Sequence, residues 1–331
     1  MYHVRPLIFG GFFLQTAPEL KIGYLKIADH LIMEMTAFRE SEGEFDFRHL
    51  TLAPTPMNNF QQLIDALVQS RIQGAFIPIP AAMDLVCKGL NIKLVLFTHR
   101  SGSVMVQAKS IQKISDFRDK SILLPYPLSM QTMLAHKLFA SAGMVLGSSG
   151  TPGIDVAMEI VSPYLMPDMM AQDDDGDIGG YFVAEPFGSQ TLITQSGNML
   201  CTSDRLFKQH PCCAFVLTDD VIQNRPDAAD ELIRQLIRSG HALEQNDHPG
   251  FFNQMRQAWF PNHGTATTDI SILLKTCHIR YEPGLLVPDR GILQMIMDYM
   301  HRSVGILPQT LDLGELVLEN FAHQAVQELD T

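Results

Sequence analysis

Strand-like and helix-like segments alternate along almost the whole chain, and no other feature constrains its fold more strongly. Short apolar runs bounded by turn residues predict strands, and apolar residues at helical spacing predict the helices between them. Two clear strand–helix pairs are residues 21–25 with residues 29–39, and residues 74–79 with residues 81–88. Such alternation is typical of α/β layering, in which helices cover a largely parallel sheet.

The alternation breaks at residues 100–103 and then begins again, which indicates two layered units. A length of 331 residues also fits about two domains. We predict that the chain crosses between the units near residues 100–103 and again near residues 201–208. One unit is then inserted in the other: lobe 1 comprises residues 19–102 and 203–331, lobe 2 comprises residues 103–202, and residues 1–18 form an N-terminal extension.

Composition and charge restrict the classes of partner. The chain is 46% hydrophobic and 18% charged, as in ordinary globular proteins, and its formal net charge is -12. Nucleic acids and anionic membranes need a concentrated basic surface, so we expect neither as a partner. An anionic ligand remains compatible with this charge, because the groups nearest a pocket set its local field. The sequence has no apolar run of 18 residues, and we therefore predict no membrane-spanning helix.

Several segments, taken in order, resemble the periplasmic solute-binding proteins that serve nitrate, bicarbonate, sulfonate and taurine uptake. The segment GYFVAEPFG at residues 180–188 carries the most weight. The others are KIGYL (21–25) with Asp29 and His30, GAFIP (74–78), HRSGS (99–103), HPCC (210–213) and residues 220–240. None of these segments is specific by itself. Their ordered recurrence, from about Lys21 to the C-terminus, carries the resemblance.

The resemblance implies a type II periplasmic-binding-protein fold: two α/β lobes with mixed sheets flanked by helices and a ligand cleft between them. It implies the substrate-binding component of an ABC-type uptake system, which captures a small polar or anionic solute by lobe closure. The expected partner is the membrane permease of that transporter. The expected location is periplasmic or extracytoplasmic, at the membrane through the transporter, although a cytoplasmic location stays open. We expect a monomer without a cofactor.

An enzyme on the same fold is the main alternative, similar to the thiamin-pyrimidine synthases or the menaquinone-pathway proteins. The cysteine-rich motif of the pyrimidine synthases is not in this sequence, and residues 210–213 are only a faint echo of it. HExxH, GxSxG, Walker and dinucleotide-binding motifs are also missing from the sequence. We therefore predict no catalytic residue and no metal ligand. A cytoplasmic ligand sensor would need a partner domain, for which the chain has no room.

A ligand in such a fold meets the carboxyl ends of strands and the amino ends of helices, where free N–H groups point into the cleft. Four loops meet this condition: residues 24–30, 78–83, 99–103 and 125–131. Together with one carboxylate after a predicted buried strand, they supply the candidate ligand-binding residues Tyr24, Asp29, His30, Pro78, Pro80, Ala81, Arg100, Ser101, Ser129, Gln131 and Glu185.

Three candidates have an alternative structural role. Asp29 stands where a helix N-cap is expected, and capping is the favoured interpretation. His30 suits a ligand contact and a surface position equally. Arg100 could pair with an oxyanion through its planar guanidinium, but an internal salt bridge at the hinge is the favoured interpretation.

The remaining polar candidates are equally open. Ser129 fits an N-cap facing the cleft, and Gln131 in the following turn could donate an amide hydrogen bond to a ligand. Glu185 follows a buried strand, where an unpaired carboxylate is costly to desolvate. We expect Glu185 in the cleft, where it contacts a ligand, an accompanying cation or the other lobe.

Five cysteines and one acidic turn complete the candidates. The adjacent Cys212 and Cys213 should point to opposite sides of a strand, which favours buried packing over metal binding. A disulfide from Cys201 to either of them is compatible only with an oxidising compartment. The acidic residues 173–177 lack the twelve-residue loop of an EF-hand, so we predict a solvated turn.

The N-terminal run at residues 6–14 resembles a weak signal-peptide core. It is short, two glycines interrupt it, and the residues after it form a poor cleavage site. An ordered extension, or a chain whose leader is missing, is the favoured interpretation.

Overall fold

The strands form two separate sheets. The computed structural model describes residues 17–261 and 269–329, so the signal-like run at residues 6–14 and most of the predicted N-terminal extension lie outside it. In the described residues the strands are β1 Glu19–Tyr24, β2 Thr51–Pro56, β3 Gly74–Pro78, β4 Ile92–Phe97, β5 Ser103–Ala108, β6 Lys120–Leu124, β7 Leu146–Ser148, β8 Val156–Ile160, β9 Ile178–Ala184, β10 Gly197–Thr202 and β11 Cys213–Thr218.

Helices flank both sheets. They are α1 Leu31–Ser41, α2 Phe60–Val68, α3 Ile79–Cys87, α4 Met130–Ser141, α5 Met166–Ala171, α6 Phe187–Thr194, α7 Ser203–Leu206, α8 Asp219–Asn224, α9 Pro226–Gln245, α10 Pro249–Trp259, α11 Ile270–Thr276, α12 Pro283–Leu286, α13 Arg290–Tyr299, α14 Leu313–Leu316 and α15 Asn320–Gln327. This arrangement confirms the predicted mixed α/β architecture. Within the described ranges, no helix combines the length and the apolarity needed to cross a bilayer.

The first sheet has the strand order β2-β1-β3-β11-β4 and the second has the order β10-β5-β9-β6-β8-β7. In the first sheet β1 pairs in parallel with β2 and β3, whereas β11 is antiparallel to both β3 and β4. In the second sheet β6 is parallel to β8 and β9, and β5 is antiparallel to β9 and β10. The late strand β11 therefore completes the sheet that the first four strands began.

The central strands are apolar because helices cover them on both faces. All five residues of β3 are buried, and β4 is buried except at Lys93. The long helix α9 begins at Pro226 and ends at Gln245, and Asn246 after it adopts the left-handed conformation. The helix packs against α1 and α15. The sequence pattern also predicts a strand over residues 47–52, but that strand lies later, at Thr51–Pro56, and no pattern predicts the short β7.

The chain passes from the first sheet to the second between β4 and β5, and it returns between β10 and β11. Arg100 in the first connection forms isolated bridges with Pro211 in the second connection and with Arg280. Gly102 adopts a φ of 98° and packs so closely on Ile279 that a Cβ atom would lie 2.7 Å from its side chain. The strands of the two sheets fall on opposite sides of the crossings, but the division into two lobes stays a prediction.

Candidate functional site

Polar side chains from both sheets meet in the interior, where strands end and helices begin. We call the groups of the first sheet the first wall and those of the second sheet the second wall. The first wall consists of Asp29, His30, His99, Cys212 and Cys213, and the second wall consists of Ser129, Gln131 and Glu185. Each of these residues is at most 3% exposed. Polar groups at this depth are normally hydrogen-bonded or matched to a ligand.

Asp29 is the centre of the first wall. Its Oδ2 atom accepts hydrogen bonds from the thiols of Cys212, at 3.5 Å, and Cys213, at 3.9 Å. Its Oδ1 atom lies 3.3 Å from Nε2 of His99. Burial raises the pKa of the Asp29 carboxyl to about 7, against the opposing effect of the two thiols and with a further increase from the charge of Glu185.

The helix-cap interpretation of Asp29 is wrong. Residues Ala28–His30 form a 3₁₀ turn, and α1 begins after it with His30 at the N-cap position and no side-chain cap. The extra turn moves Asp29 away from the free N–H groups of the helix and directs its carboxylate into the interior. The N-cap pattern in the sequence therefore predicted a structural role for a carboxylate that instead lies buried in the candidate site.

Three buried histidines carry ring nitrogens without a partner. Nδ1 of His30 accepts from the backbone N–H of Leu25 at 2.9 Å, so its proton resides on Nε2, which has no partner among the described residues. Nε2 of His99 and of His210 is likewise buried without a hydrogen bond. Burial lowers the pKa of His30 to about 3 and that of His210 to about 4, which keeps both rings neutral.

The two adjacent cysteines lie together, and the prediction that they face opposite sides of a strand is wrong. Cys212 precedes β11, where the alternation of side chains has not yet begun, and its carbonyl accepts from the N–H of Ile79. Both thiols can therefore reach Asp29. All five cysteines are free thiols, so the disulfide considered from Cys201 is not formed.

Asp29, Cys212 and Cys213 form a set that could ligate a metal. One ligand atom from each lies within 4.8 Å of the others, and all three residues are buried. Thiolate sulfur and carboxylate oxygen together are a donor set that suits zinc. The prediction that the chain has no metal ligand stays a prediction, because this grouping shows only that the three residues could hold an ion.

The second wall is satisfied by its own hydrogen bonds. Ser129 caps α4, since its hydroxyl accepts from the N–H of Thr132 at 3.2 Å. The Glu185 carboxylate accepts from the backbone N–H of Ser189 at 2.9 Å and from its hydroxyl at 3.0 Å. Burial raises the pKa of Glu185 to about 7, and the bonds from Ser189 oppose that rise. Glu185 therefore holds the first turn of α6 and makes no salt bridge among the described residues.

The two walls touch each other directly. The N–H of Ala28 donates to the carbonyl of Glu185 at 2.8 Å, and the Gln131 amide donates to Ser103 at 2.9 Å and to the Cys212 sulfur at 3.4 Å. Tyr281, from the C-terminal part, donates its hydroxyl proton to the Ala28 carbonyl at 2.6 Å and so fixes the turn that carries Asp29. Hydrogen bonds thus join the two walls directly.

Two predicted residues lie at the crossing instead of between the walls. Nε of Arg100 donates to the carbonyl of Leu285 at 2.7 Å, and the guanidinium lies 4.6 Å from the centre of the Phe97 ring. Burial lowers the pKa of Arg100 to about 10. The favoured salt bridge of Arg100 is not formed within the described residues, since backbone carbonyls replace a carboxylate. Ser101 donates its hydroxyl proton to Asp204 at 2.7 Å.

Four other predicted residues are buried where strands of the first sheet end. Pro78, Pro80 and Ala81 are buried where β3 passes into α3, and the N–H of Ile79 between them holds the backbone of Cys212. Tyr24 is 4% exposed at the end of β1, and burial raises the pKa of its hydroxyl. His99, Cys212 and Cys213 are not among the predicted ligand-binding residues, although β4 and β11 bring the segments HRSGS and HPCC to one edge of the sheet.

Comparisons with known proteins agree with this architecture. The sequence profile of the NMT1-like family matches residues 15–250. A nitrate/nitrite binding protein, NrtA, from Nostoc sp. is 30% identical over 88 residues, which are 27% of this chain and 19% of that protein. The first matched curated relatives are longer proteins, of whose own length the chain spans between 19% and 36%.

Solved structures of the same fold cover nearly the whole chain. The periplasmic nitrate-binding protein NrtA from Synechocystis has a TM-score of 0.79 at 17% identity, covering 95% of this chain and 90% of its own. The ligand-binding component of an ABC-type import system from Staphylococcus aureus, solved with zinc bound, has a TM-score of 0.76 at 24% identity, covering 93% and 99%. These likenesses confirm the predicted periplasmic-binding-protein fold.

Proposed function

The chain belongs to the NMT1-like family, and from that premise we propose that it is the substrate-binding component of an ABC-type import system. It captures a small polar solute between the first and second walls by closure of the two lobes. The observation that carries this proposal is the set of buried, unpartnered polar atoms at the contact between the sheets: Asp29 Oδ1, His30 Nε2 and His99 Nε2.

Those atoms favour capture because a buried polar group without a partner destabilises the closed form by about 1–3 kcal/mol. A solute that supplies the missing donors and acceptors removes this cost and stabilises closure. The matched relatives and structural neighbours are named as nitrate-binding, sulfonate-binding or import-system components, which also supports capture over the alternative of an enzyme on the same fold.

Closure requires the two connections between the sheets to act as a hinge. Arg100 and Ser101 in the first connection bond to the second connection and to the C-terminal part, which ties both crossings together. In the proposed cycle lobe 1 consists of residues 19–102 and 203–331, and lobe 2 of residues 103–202. On the extracytoplasmic side of the membrane, the closed monomer delivers its solute to a membrane permease.

A thermal-shift screen over nitrate, bicarbonate, alkanesulfonates, taurine and pyrimidines tests the proposal. A captured solute should raise the melting temperature with concentration, because it binds the folded state alone. Small-angle scattering of the same samples should show a smaller radius of gyration with the solute than without it.

Matched variants separate capture in the cleft from binding elsewhere. Asp29→Asn should abolish the solute-dependent shift, whereas Asp175→Asn in the exposed turn should retain it. Chemical turnover of a bound compound, or a shift that Asp29→Asn leaves intact, would reject capture between the walls.

A further inference from the structure

We propose that the solute captured between the walls is a thiophilic divalent metal cation of the zinc type, ligated by Asp29, Cys212 and Cys213. This inference rests on the proposed function, since it names the class of solute that the same cleft takes. It begins from the three buried residues whose ligand atoms lie within 4.8 Å of one another.

The distances fit a metal without rearrangement of the backbone. Around a tetrahedral zinc ion, Zn–S bonds of about 2.3 Å and Zn–O bonds of about 2.0 Å place sulfur and oxygen ligands about 3.5 Å apart. Oδ2 of Asp29 lies 3.5 Å from Sγ of Cys212 and 3.9 Å from Sγ of Cys213. The two distances from Asp29 to the sulfur atoms therefore agree with this geometry to within a few tenths of an ångström.

The types of donor atom also favour a soft cation. Asp29 is fully buried, and no lysine or arginine pairs with it among the described residues. A divalent cation that displaces the two thiol protons to solvent would neutralise two of the three negative charges of the resulting thiolates and carboxylate, so its binding offsets most of the cost of burying them. Thiolate ligands select zinc and related soft cations over magnesium and calcium, which prefer oxygen.

Neighbouring groups hold the ligands in place. Nδ1 of His99 lies 3.0 Å from the backbone carbonyl of Asp29 and donates to it, while its Nε2 lies 3.3 Å from the second carboxylate oxygen. The hydrogen bond from Nδ1 of His99 thus holds the backbone of Asp29, as outer partners of metal ligands do. We assign it as a positioning residue. Three protein ligands leave a fourth position for water, which suits a cation that must be released again.

Gln131 connects the site to closure. It belongs to the second wall, and its amide donates to the Cys212 sulfur at 3.4 Å. Ionisation of Cys212 on metal binding strengthens this bond, because a charged acceptor makes a hydrogen bond roughly twice as strong. Metal binding therefore strengthens the contact between the two walls, although the second wall supplies no metal ligand.

The experiment is a titration of metal-free, fully reduced protein with Co²⁺, followed by competition with Zn²⁺. Ligation by two thiolates should give a thiolate-to-cobalt charge-transfer band that Zn²⁺ removes. Zn²⁺ should raise the melting temperature, whereas Mg²⁺ and Ca²⁺ at the same concentration should not. The double variant Cys212→Ser, Cys213→Ser should lose the band, with affinity for Zn²⁺ at least about 100-fold weaker.

Three further variants test a thiol outside the cluster, the carboxylate ligand and the second wall separately. Cys201→Ser removes a half-buried thiol outside the cluster and should titrate like the parent protein. Asp29→Asn preserves the shape of the side chain and should weaken zinc binding even if the double variant fails to fold, which circular dichroism would show. Gln131→Met should retain the charge-transfer band but reduce the compaction on zinc binding.

The outcomes distinguish this inference from the proposed function. Absence of the charge-transfer band, or a zinc-dependent shift that Asp29→Asn and the double variant retain, would overturn the metal site. If nitrate or a sulfonate then stabilises the same protein through Asp29, solute capture stands and only the metal inference fails. If no metal and no solute stabilises it, both fail.

Discussion

The two walls of the cleft are equally buried, yet they treat their polar groups in opposite ways. In the second wall Ser129 caps α4, Gln131 bonds Ser103, and Glu185 receives two bonds from Ser189. In the first wall Asp29 and His99 each leave an atom buried without a hydrogen bond. One wall is complete by itself, and the other needs a partner.

This difference separates structure from binding. A buried group that is already bonded gains nothing when a ligand arrives, whereas an unpartnered group gains the free energy that its isolation cost. The binding energy of the cleft should therefore come from the first wall. The second wall should serve as a rigid cover that excludes water, and variants of the two walls should separate stability from binding.

Gly180→Ala should have the largest effect on stability, because Gly180 lies in β9, the strand that leads directly to Glu185 of the second wall. A Cβ atom at Gly180 would overlap the carbonyl oxygen of Val106 on the neighbouring strand β5, which cannot move without breaking the sheet. We expect a loss of at least about 3 kcal/mol in the free energy of unfolding, measured by urea denaturation. Zinc or solute should still stabilise whatever fraction folds.

Gly284→Ala is the matched control for Gly180→Ala. No atom lies within 4 Å of the Cβ position at Gly284, in the short helix α12. Its substitution should leave stability unchanged or raise it by about 0.5 kcal/mol. If Gly180→Ala and Gly284→Ala lowered the free energy of unfolding equally, the second sheet would not be the rigid side of the cleft.

Asp29→Asn should stabilise the metal-free protein as pH rises. The folded carboxyl keeps its proton up to about pH 7, whereas in the unfolded chain it ionises near its ordinary value of 3.8. The parent protein therefore loses stability between these pH values, and the neutral amide does not. We expect an advantage of about 2–4 kcal/mol at pH 8 that declines towards pH 4, measured by urea unfolding in chelator. If the stability advantage of Asp29→Asn did not change with pH, the raised pKa of the buried Asp29 carboxyl would be contradicted.

Glu185→Gln compares the second wall in the same assay. The pKa of Glu185 is also raised to about 7, so the parent loses stability as pH rises from 4.5 to that value. The amide, however, forfeits charge-assisted bonds from Ser189. We expect a response in the same direction but at most half as large as that of Asp29→Asn. If the pH-dependent gain in stability were larger for Glu185→Gln than for Asp29→Asn, the carboxylate whose burial costs more would lie in the second wall.

The sequence predicted the elements of the cleft better than their chemistry. The apolar runs of β3 and β4 and the helical spacing of α2 and α9 predict elements of the first sheet and its helices, because burial leaves a periodic pattern in the residues. Ser129 was correctly placed at a helix N-terminus for the same local reason.

Asp29, Cys212 and Cys213 show why the site was harder to predict. A cap signal is local, but a single 3₁₀ turn before α1 redirects the carboxylate, and nothing in the neighbouring residues records that turn. The two thiols approach Asp29 only because β11 returns 183 and 184 positions later to lie against β3. Contacts of such sequence separation are set by topology, which local patterns do not report.

Ser129→Ala should cost less, and it should leave binding intact. It removes the side-chain cap of α4, which typically lowers stability by about 1 kcal/mol. Asn59→Ala, which removes the equivalent cap from α2, should cost about the same and serves as the reference. Both variants should bind zinc, measured calorimetrically, within about threefold of the parent affinity, which corresponds to less than 0.7 kcal/mol. A selective loss of affinity in Ser129→Ala would make the second wall a binding surface.

The exposed acidic turn should show the smallest effect of all, although it carries the densest negative charge in the sequence. Asp174 and Asp175 are exposed, and Asp173 already bonds the N–H groups of Asp177 and Ile178. Replacing Asp174 and Asp175 by Asn should change stability by less than about 0.5 kcal/mol. Calcium should not shift the melting temperature of either protein. A calcium-dependent shift that this double variant removes would place a second cation site on the surface, and the first wall would no longer hold all the cation chemistry of the chain.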